Sequence, residues 1–151
     1  MDFFRESDIE KAFCKYIDGK LCLHVIGRQV ELPSGRVDIL ARETVEFTYN
    51  RPAETRPVVI EIKKGKIDLA SCGQVLSYAE QIKYLIARRL WSDCARLNNF
   101  DSLSSEDWIP NAIVVGSSVS KEANRFYNSV FSSGGTLFFY TYEYVNGEFV
   151  F

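Results

Sequence analysis

Two stretches decide the fold: ELPSGRVDILA, residues 31–41, and VVIEIKKG, residues 58–65. Successive side chains leave a strand on opposite sides. In the second stretch Val58, Ile60 and Ile62 therefore share one face, and Val59, Glu61 and Lys63 the other. In the first, a turn at Pro33-Ser34-Gly35 precedes a strand in which Val37, Ile39 and Ala41 lie opposite Asp38, Leu40 and Arg42. The two read as antiparallel partners. Symmetric pairing about a Tyr49–Asn50 tip sets residue i against residue 99 − i, and so Asp38 against Glu61. Directly opposed β-carbons lie about 5 Å apart, and like charges placed so repel. Two carboxylates inside apolar strands then call for a cation between them.

Working outward, residues 7–18 place Ile9, Ala12, Phe13, Tyr16 and Ile17 on one helical stripe, with Gly19 as a stop and an earlier start, near Asp2, left open. Residues 21–32 alternate as a strand interrupted at Gly27, and the polar stretch from Tyr49 to Pro57 reads as a loop. Asp68 is the expected N-cap of a long helix running to about Trp91. Residues 92–110 read as irregular or as a short helix. The apolar run Asn111–Val115 is expected as a central strand buried on both faces. Ser120 then caps a further helix, and TLFFYTYEYVNGEFVF follows with a hairpin turn at Asn146-Gly147. The order is α-β-β-β-α-β-α-β with a closing hairpin. This is an α/β fold with a central mixed sheet flanked by helices, expected as a single domain over residues 1–151.

Composition narrows the class. Of 151 residues 46% are hydrophobic and 25% charged, which is globular rather than disordered. No apolar run approaches the roughly 18 residues of a membrane span, and the opening MDFFRESDIEK has no apolar signal core. Cys14, Cys22, Cys72 and Cys94 form no CxxC pair and read as buried, reduced thiols. The expectation is an intracellular, cytoplasmic chain with no membrane partner. The net charge of −2 argues against broad nonspecific nucleic-acid binding. Any such contact falls to a local patch, a metal or a second subunit.

The chemistry suited to two carboxylates and a lysine at this spacing is phosphodiester hydrolysis. Asp38 and Glu61, with the backbone carbonyl of Ile62, would hold a hard divalent ion, Mg²⁺ or Mn²⁺. The ion would activate a water and neutralise charge building on the phosphate, with Lys63 orienting the water or stabilising that charge. The bland alternative is an exposed Glu61–Lys63 ion pair with Asp38 in a turn. His24, the sole histidine, reads as structural, and no P-loop, HExxH or nucleophile elbow is present. Lys63, Lys64 and Lys66 form a small basic cluster suited to phosphate. Arg88, Arg89 and Arg96 read as solvated surface.

Residues 31–41, 58–65 and 74–79 (QVLSYA) together resemble the PD-(D/E)XK nuclease superfamily. More narrowly, they are similar to the nuclease domain of archaeal and actinobacterial mismatch endonucleases and their small single-domain relatives. There a helix carrying a glutamate, a GRxD strand, an ExK strand and a QxxxY helix follow in this order. The resemblance covers about residues 5–80. It implies a restriction-endonuclease-like fold and a Mg²⁺- or Mn²⁺-dependent DNA endonuclease, with Asp38 and Glu61 as metal ligands and Lys63 as the catalytic lysine. It also implies Gln74 and Tyr78 beside the scissile phosphate, and Arg36 from the GR pair. Arg36, Lys64, Lys66 and Tyr78 are the expected nucleic-acid contacts. For the helix glutamate Glu6 is favoured on its spacing to Ile9. Glu10 stays open as the alternative, with a rival role in a capping box opened by Ser7.

The chain departs from the family in a longer loop from Phe47 to Arg56. No counterpart of the mismatch endonucleases' N-terminal DNA-binding domain is expected in residues 1–151, so mismatch specificity is not part of the expectation. DNA is the expected partner, with RNA left open, and the aromatic terminal segment is expected to pack in the sheet or at a homodimer interface. A Holliday-junction resolvase or structure-specific exonuclease on the same core, and a non-catalytic binding module, are the rival readings.

Overall fold

In the computed structural model, residues 3–46, 53–88, 110–132 and 136–151 are described. The elements run α1 (Glu6–Lys20), β1 (His24–Leu32), β2 (Gly35–Val45), β3 (Glu54–Ile62), α2 (Leu69–Ala87), β4 (Asn111–Gly116), α3 (Lys121–Ser132), β5 (Leu137–Thr141), β6 (Glu143–Val145) and β7 (Glu148–Val150). The order matches the α-β-β-β-α-β-α-β reading with its closing hairpin. Five strands form one sheet in chain order, β1-β2-β3-β4-β5. The first three are antiparallel and the last three parallel, so the sheet is mixed.

β4 explains the middle of the sheet. Ala112 to Gly116 are all buried, because β3 and β5 flank the strand and helices cover both faces. On one side α1 lays Ile9, Phe13 and Ile17 against Ile39, Ala41, Val58, Ile60, Ile62 and Val115. On the other, Val75, Ala79, Ile82 and Ile86 of α2 cover Leu40, Val59, Ala112 and Val114. Each fully buried large side chain adds about 1.5–3 kcal/mol. Caps set two helix starts as read: the Asp68 carboxylate accepts the Ser71 N–H at 2.8 Å, and the Ser120 hydroxyl accepts the Ala123 N–H at 3.1 Å.

The aromatic tail joins the sheet and then folds back on α1. β5 pairs with β4, and the β6–β7 hairpin turns at Asn146 and Gly147, both with positive φ (52° and 81°). Phe4 meets Tyr142, Tyr144 and Phe149 with ring centroids 4.9–5.8 Å apart, and Phe13 meets Phe151 at 5.0 Å. Much of this apolar area is thereby covered within the chain.

Four expectations are corrected. α1 starts two residues earlier than the Ser7 cap would put it: Arg5 is the N-cap, and its N–H donates to Asp8 at 2.8 Å. No capping box therefore employs Glu10. β3 begins at Glu54 rather than after Pro57, which pairs with Arg42 ahead of the β4 contact. A proline is tolerated at such a strand edge. Cys72 is buried and Cys14 half-buried, but Cys22 is exposed. Finally, β2 does not alternate throughout. Val37 packs with Leu40 on the α2 side, while Ile39 and Ala41 face α1. Cys94, Trp91, Arg89, Arg96, the 92–109 segment and the Tyr49–Asn50 tip lie outside the described residues. Among the described residues no helix is long and apolar enough to cross a membrane.

Candidate active site

The β2–β3 register follows the expected rule, residue i facing residue 99 − i, from Ile39↔Ile60 to Val45↔Glu54. The ladder stops one step short of Asp38 and Glu61. There the Asp38 side chain takes over, its Oδ2 accepting the Ile62 N–H at 2.7 Å. The N–H and C=O of one strand residue project to the same edge, so the Ile62 carbonyl also faces this gap. The neighbouring Lys63 N–H points the other way, to the Val115 carbonyl at 2.8 Å.

The break in alternation falls at this point too. Arg28↔Ile39 and Val30↔Val37 pair, with no pair between Gln29 and Asp38. Gln29 has φ 51°, in the left-handed region that non-glycine residues avoid. Asp38 sits where β2 changes from the α2 side at Val37 to the α1 side at Ile39. Its Oδ1 accepts from the Gln29 side-chain amide at 3.2 Å.

Glu61 is 8% exposed, and its Oε2 is buried with no hydrogen-bond donor. Its carboxyl lies in hydrogen-bond reach of Asp38. Burial first, then the charges of Asp38 and Glu6, push Glu61 up to about 8, against a downward pull from Lys63. Asp38 is also raised, by burial and by Glu10 and Glu6, though its bonds from Ile62 and Gln29 lower it. The two carboxylates repel in a half-dry gap, and one oxygen of Glu61 lacks any donor: this is the electrostatic demand for a cation inferred from the sequence. Among the described residues no three acidic, histidine or cysteine side chains converge as a ligand cluster. The donor set fits a hard ion that keeps several waters, held by two carboxylates and a carbonyl.

The remaining residues sort by position. Glu6 reaches across from α1, its Oε2 accepting the Lys64 N–H at 3.1 Å, and its charge is felt at both Asp38 and Glu61. Glu10 is 3% exposed and already engaged by Arg28 Nε at 2.7 Å and Gln29 Nε2 at 2.9 Å. Of the two helix acids Glu6 is thus the one at the rim of the gap. Lys63 is partly exposed, with its Nζ 4.0 Å from the Asp68 carboxylate. Lys64 and Lys66 are exposed on the same loop, the Lys64 ammonium standing 5.0 Å from the Phe4 ring centroid. Arg36 is exposed at the β1–β2 hairpin, opposite Glu31. Gln74 is exposed on α2 and donates to the Tyr78 hydroxyl at 2.8 Å.

Tyr78, expected as a nucleic-acid contact beside the scissile phosphate, is largely buried. It is 5% exposed, packed in the α2-side core, and a β-carbon built on Gly35 would meet its hydroxyl at 2.5 Å. A buried ring offers a phosphate no face. What Tyr78 does here is seat the β1–β2 turn and hold Gln74.

Sequence reading missed Gln29 and the clamp on the lysine loop. A lone glutamine in a strand carries no signal. The clamp is made by main chain: Gly65 O accepts from Ser117, Ser118 O from Ile67, and Ile67 O from Ser120, at 2.8–3.0 Å. The Tyr142 hydroxyl adds a bond to the Lys64 carbonyl.

Neither a scan against protein-family models nor a search of curated proteins gave a match. Among solved structures, a repair endonuclease from Pyrococcus abyssi aligns over 93% of this chain with TM-score 0.53 and 19% identity. The chain shares its fold with that repair endonuclease. A structure of EndoMS in complex with double-stranded DNA aligns over 93% of the chain with TM-score 0.51 and 18% identity. The chain spans about half the length of these structures, 49% and 48% respectively. The endonuclease-like fold that the sequence resemblance implied is the fold found.

Proposed function

We propose that this chain is a Mg²⁺- or Mn²⁺-dependent endonuclease that hydrolyses DNA phosphodiester bonds. The observation that carries the reading is the Asp38–Glu61 pair at the splayed end of β2 and β3, with one oxygen of Glu61 buried and unsatisfied. Asp38, Glu61 and the Ile62 carbonyl would hold the ion. Each Asp38 oxygen accepts one protein donor and keeps a further lone pair. When bound, a divalent ion supplies the positive charge that acidifies water and offsets charge on the phosphate.

The protein's own groups do the rest. Lys63, anchored at its backbone to β4, extends its ammonium to the site edge to orient water or meet negative charge as it develops. Glu6 lies where it can accept a proton or a water contact at the rim. Gln74, aimed by Tyr78, and the exposed Arg36, Lys64 and Lys66 supply phosphate contacts. With a net charge of −2 these few cations have to act locally. The likeness to a structure of EndoMS with double-stranded DNA supports DNA as the substrate class. A homodimer would bring two such sites to the two strands of a duplex.

The test is Mn²⁺-dependent cleavage of plain, mismatched and branched DNA by wild type, Asp38→Ala and Lys63→Ala. Cleavage by the wild type alone supports the reading. Equal residual activity in all three, or none in any, sinks it.

A further inference from the structure

We propose that Gln29 is a positioning residue for Asp38, aimed by the buried carboxylate of Glu10. The inference rests on the reading of Asp38 as an ion ligand and adds a residue to it. Non-glycine residues hold a left-handed φ only where the surroundings over-determine it, and Gln29 does so at 51° in the middle of a strand. That backbone turn removes the ladder pair with Asp38 and brings the Gln29 amide to two carboxylates at once. Its Nε2 lies 2.9 Å from Glu10 Oε2 and 3.2 Å from Asp38 Oδ1. Only the NH₂ end of the amide can meet two ionised acceptors, so these contacts fix which way it faces.

Glu10 is the anchor of this arrangement. It is 3% exposed, and Arg28 Nε holds its other oxygen at 2.7 Å. Ile62 N–H, at 2.7 Å, fixes the second oxygen of Asp38. The Asp38 carboxylate is therefore held at both oxygens, with its free lone pairs left for the gap beside Glu61. Partners that orient a metal ligand commonly change affinity by about 10- to 100-fold when removed.

The experiment is calorimetric titration of Mn²⁺ into the metal-free protein. Wild type, Gln29→Met, Gln29→Gly and Asp38→Ala are compared well below their unfolding midpoints, where lost stability alone leaves affinity unmoved. Methionine keeps the length of the side chain and removes both donors. Glycine removes the amide and relaxes the left-handed backbone, and it carries the test should the methionine variant not fold. The expected result is Mn²⁺ affinity about tenfold weaker in either Gln29 variant and lost in Asp38→Ala. Wild-type affinity in the Gln29 variants, with binding lost in Asp38→Ala, overturns the role of Gln29 and leaves the ion site standing. Wild-type affinity in Asp38→Ala overturns the ion site itself.

Discussion

Replacing Glu61 by glutamine should make the metal-free protein more stable at high pH. Burial and the charges of Asp38 and Glu6 hold the Glu61 carboxyl at about 8, against an ordinary 4.5. Between those values the folded chain binds more protons than the unfolded one, so stability is fully present below pH 4.5 and is lost as pH rises through about 8. The slope is about 1.4 kcal/mol per pH unit, giving a ceiling of about 5 kcal/mol. Water entering the splayed strand ends, and the proton shared with Asp38, reduce this to roughly 1–3 kcal/mol. Urea unfolding in chelator at pH 5, 7 and 9 reads the effect. Wild type and Glu61→Gln should nearly coincide at pH 5, and the variant should be the more stable at pH 9. Groups away from this coupled pair titrate alike in both, so the difference reports the Asp38–Glu61 pair. Mn²⁺ at a hundredfold excess over its Kd should then return about 2.7 kcal/mol to wild type and little to the variant. Parallel stability curves from pH 5 to 9, with equal Mn²⁺ responses, would refute the reasoning.

Other perturbations test separate parts of the structure. Lys63→Ala should lower single-turnover cleavage by about 10²- to 10³-fold. It should change urea stability by no more than about 1 kcal/mol, since its pairing with Asp68 is exposed. Gly116→Ala places a β-carbon 2.6 Å from Ile67 Cγ1 and 2.8 Å from the Gly65 carbonyl. It should cost about 1–3 kcal/mol and reduce cleavage as well, because that carbonyl belongs to the lysine loop. Asp68→Ala should cost about 1 kcal/mol of stability through the lost cap, while Asp68→Asn, which still accepts the Ser71 N–H, should cost less. Phe13→Ala should cost about 3–5 kcal/mol by thermal or urea unfolding, as its ring is fully buried between α1, Tyr140 and Phe151.

What was legible in the sequence was periodic or local. Symmetric pairing about a Tyr49–Asn50 tip gave the β2–β3 register, which brings Asp38 to Glu61, and the caps at Asp68 and Ser120 were visible as single letters. What was not legible depended on a backbone choice the letters do not announce. Gln29 adopts a conformation its type disfavours, beside the point at Asp38 where the β2 face pattern breaks. Ser7-Asp8-Ile9-Glu10 carried a capping signal that lost to Arg5 and Asp8; starting at Glu6 extends α1 by two residues and sets the Glu6 carboxylate on the Lys64 N–H. Pro57 suggested a loop, yet it sits where β3 has β2 on one side and no β4 partner in the described residues. Tyr78 lies on the apolar stripe of α2, which its spacing from Val75 and Ile82 already allowed.

The lysine loop is moored to the far half of the chain mostly by amides and carbonyls, which every residue but proline can offer. Side-chain identity at Ser117 and Ser118 is thus largely free to drift without moving Lys63, whereas Val119 packs on the α2-side core, Ser120 caps α3 and Gly116 lies beneath the loop. A motif search sees only the half of the machine written in side chains. A chimera that imports a foreign β4–α3 corner should retain the working geometry wherever the imported backbone traces the same path.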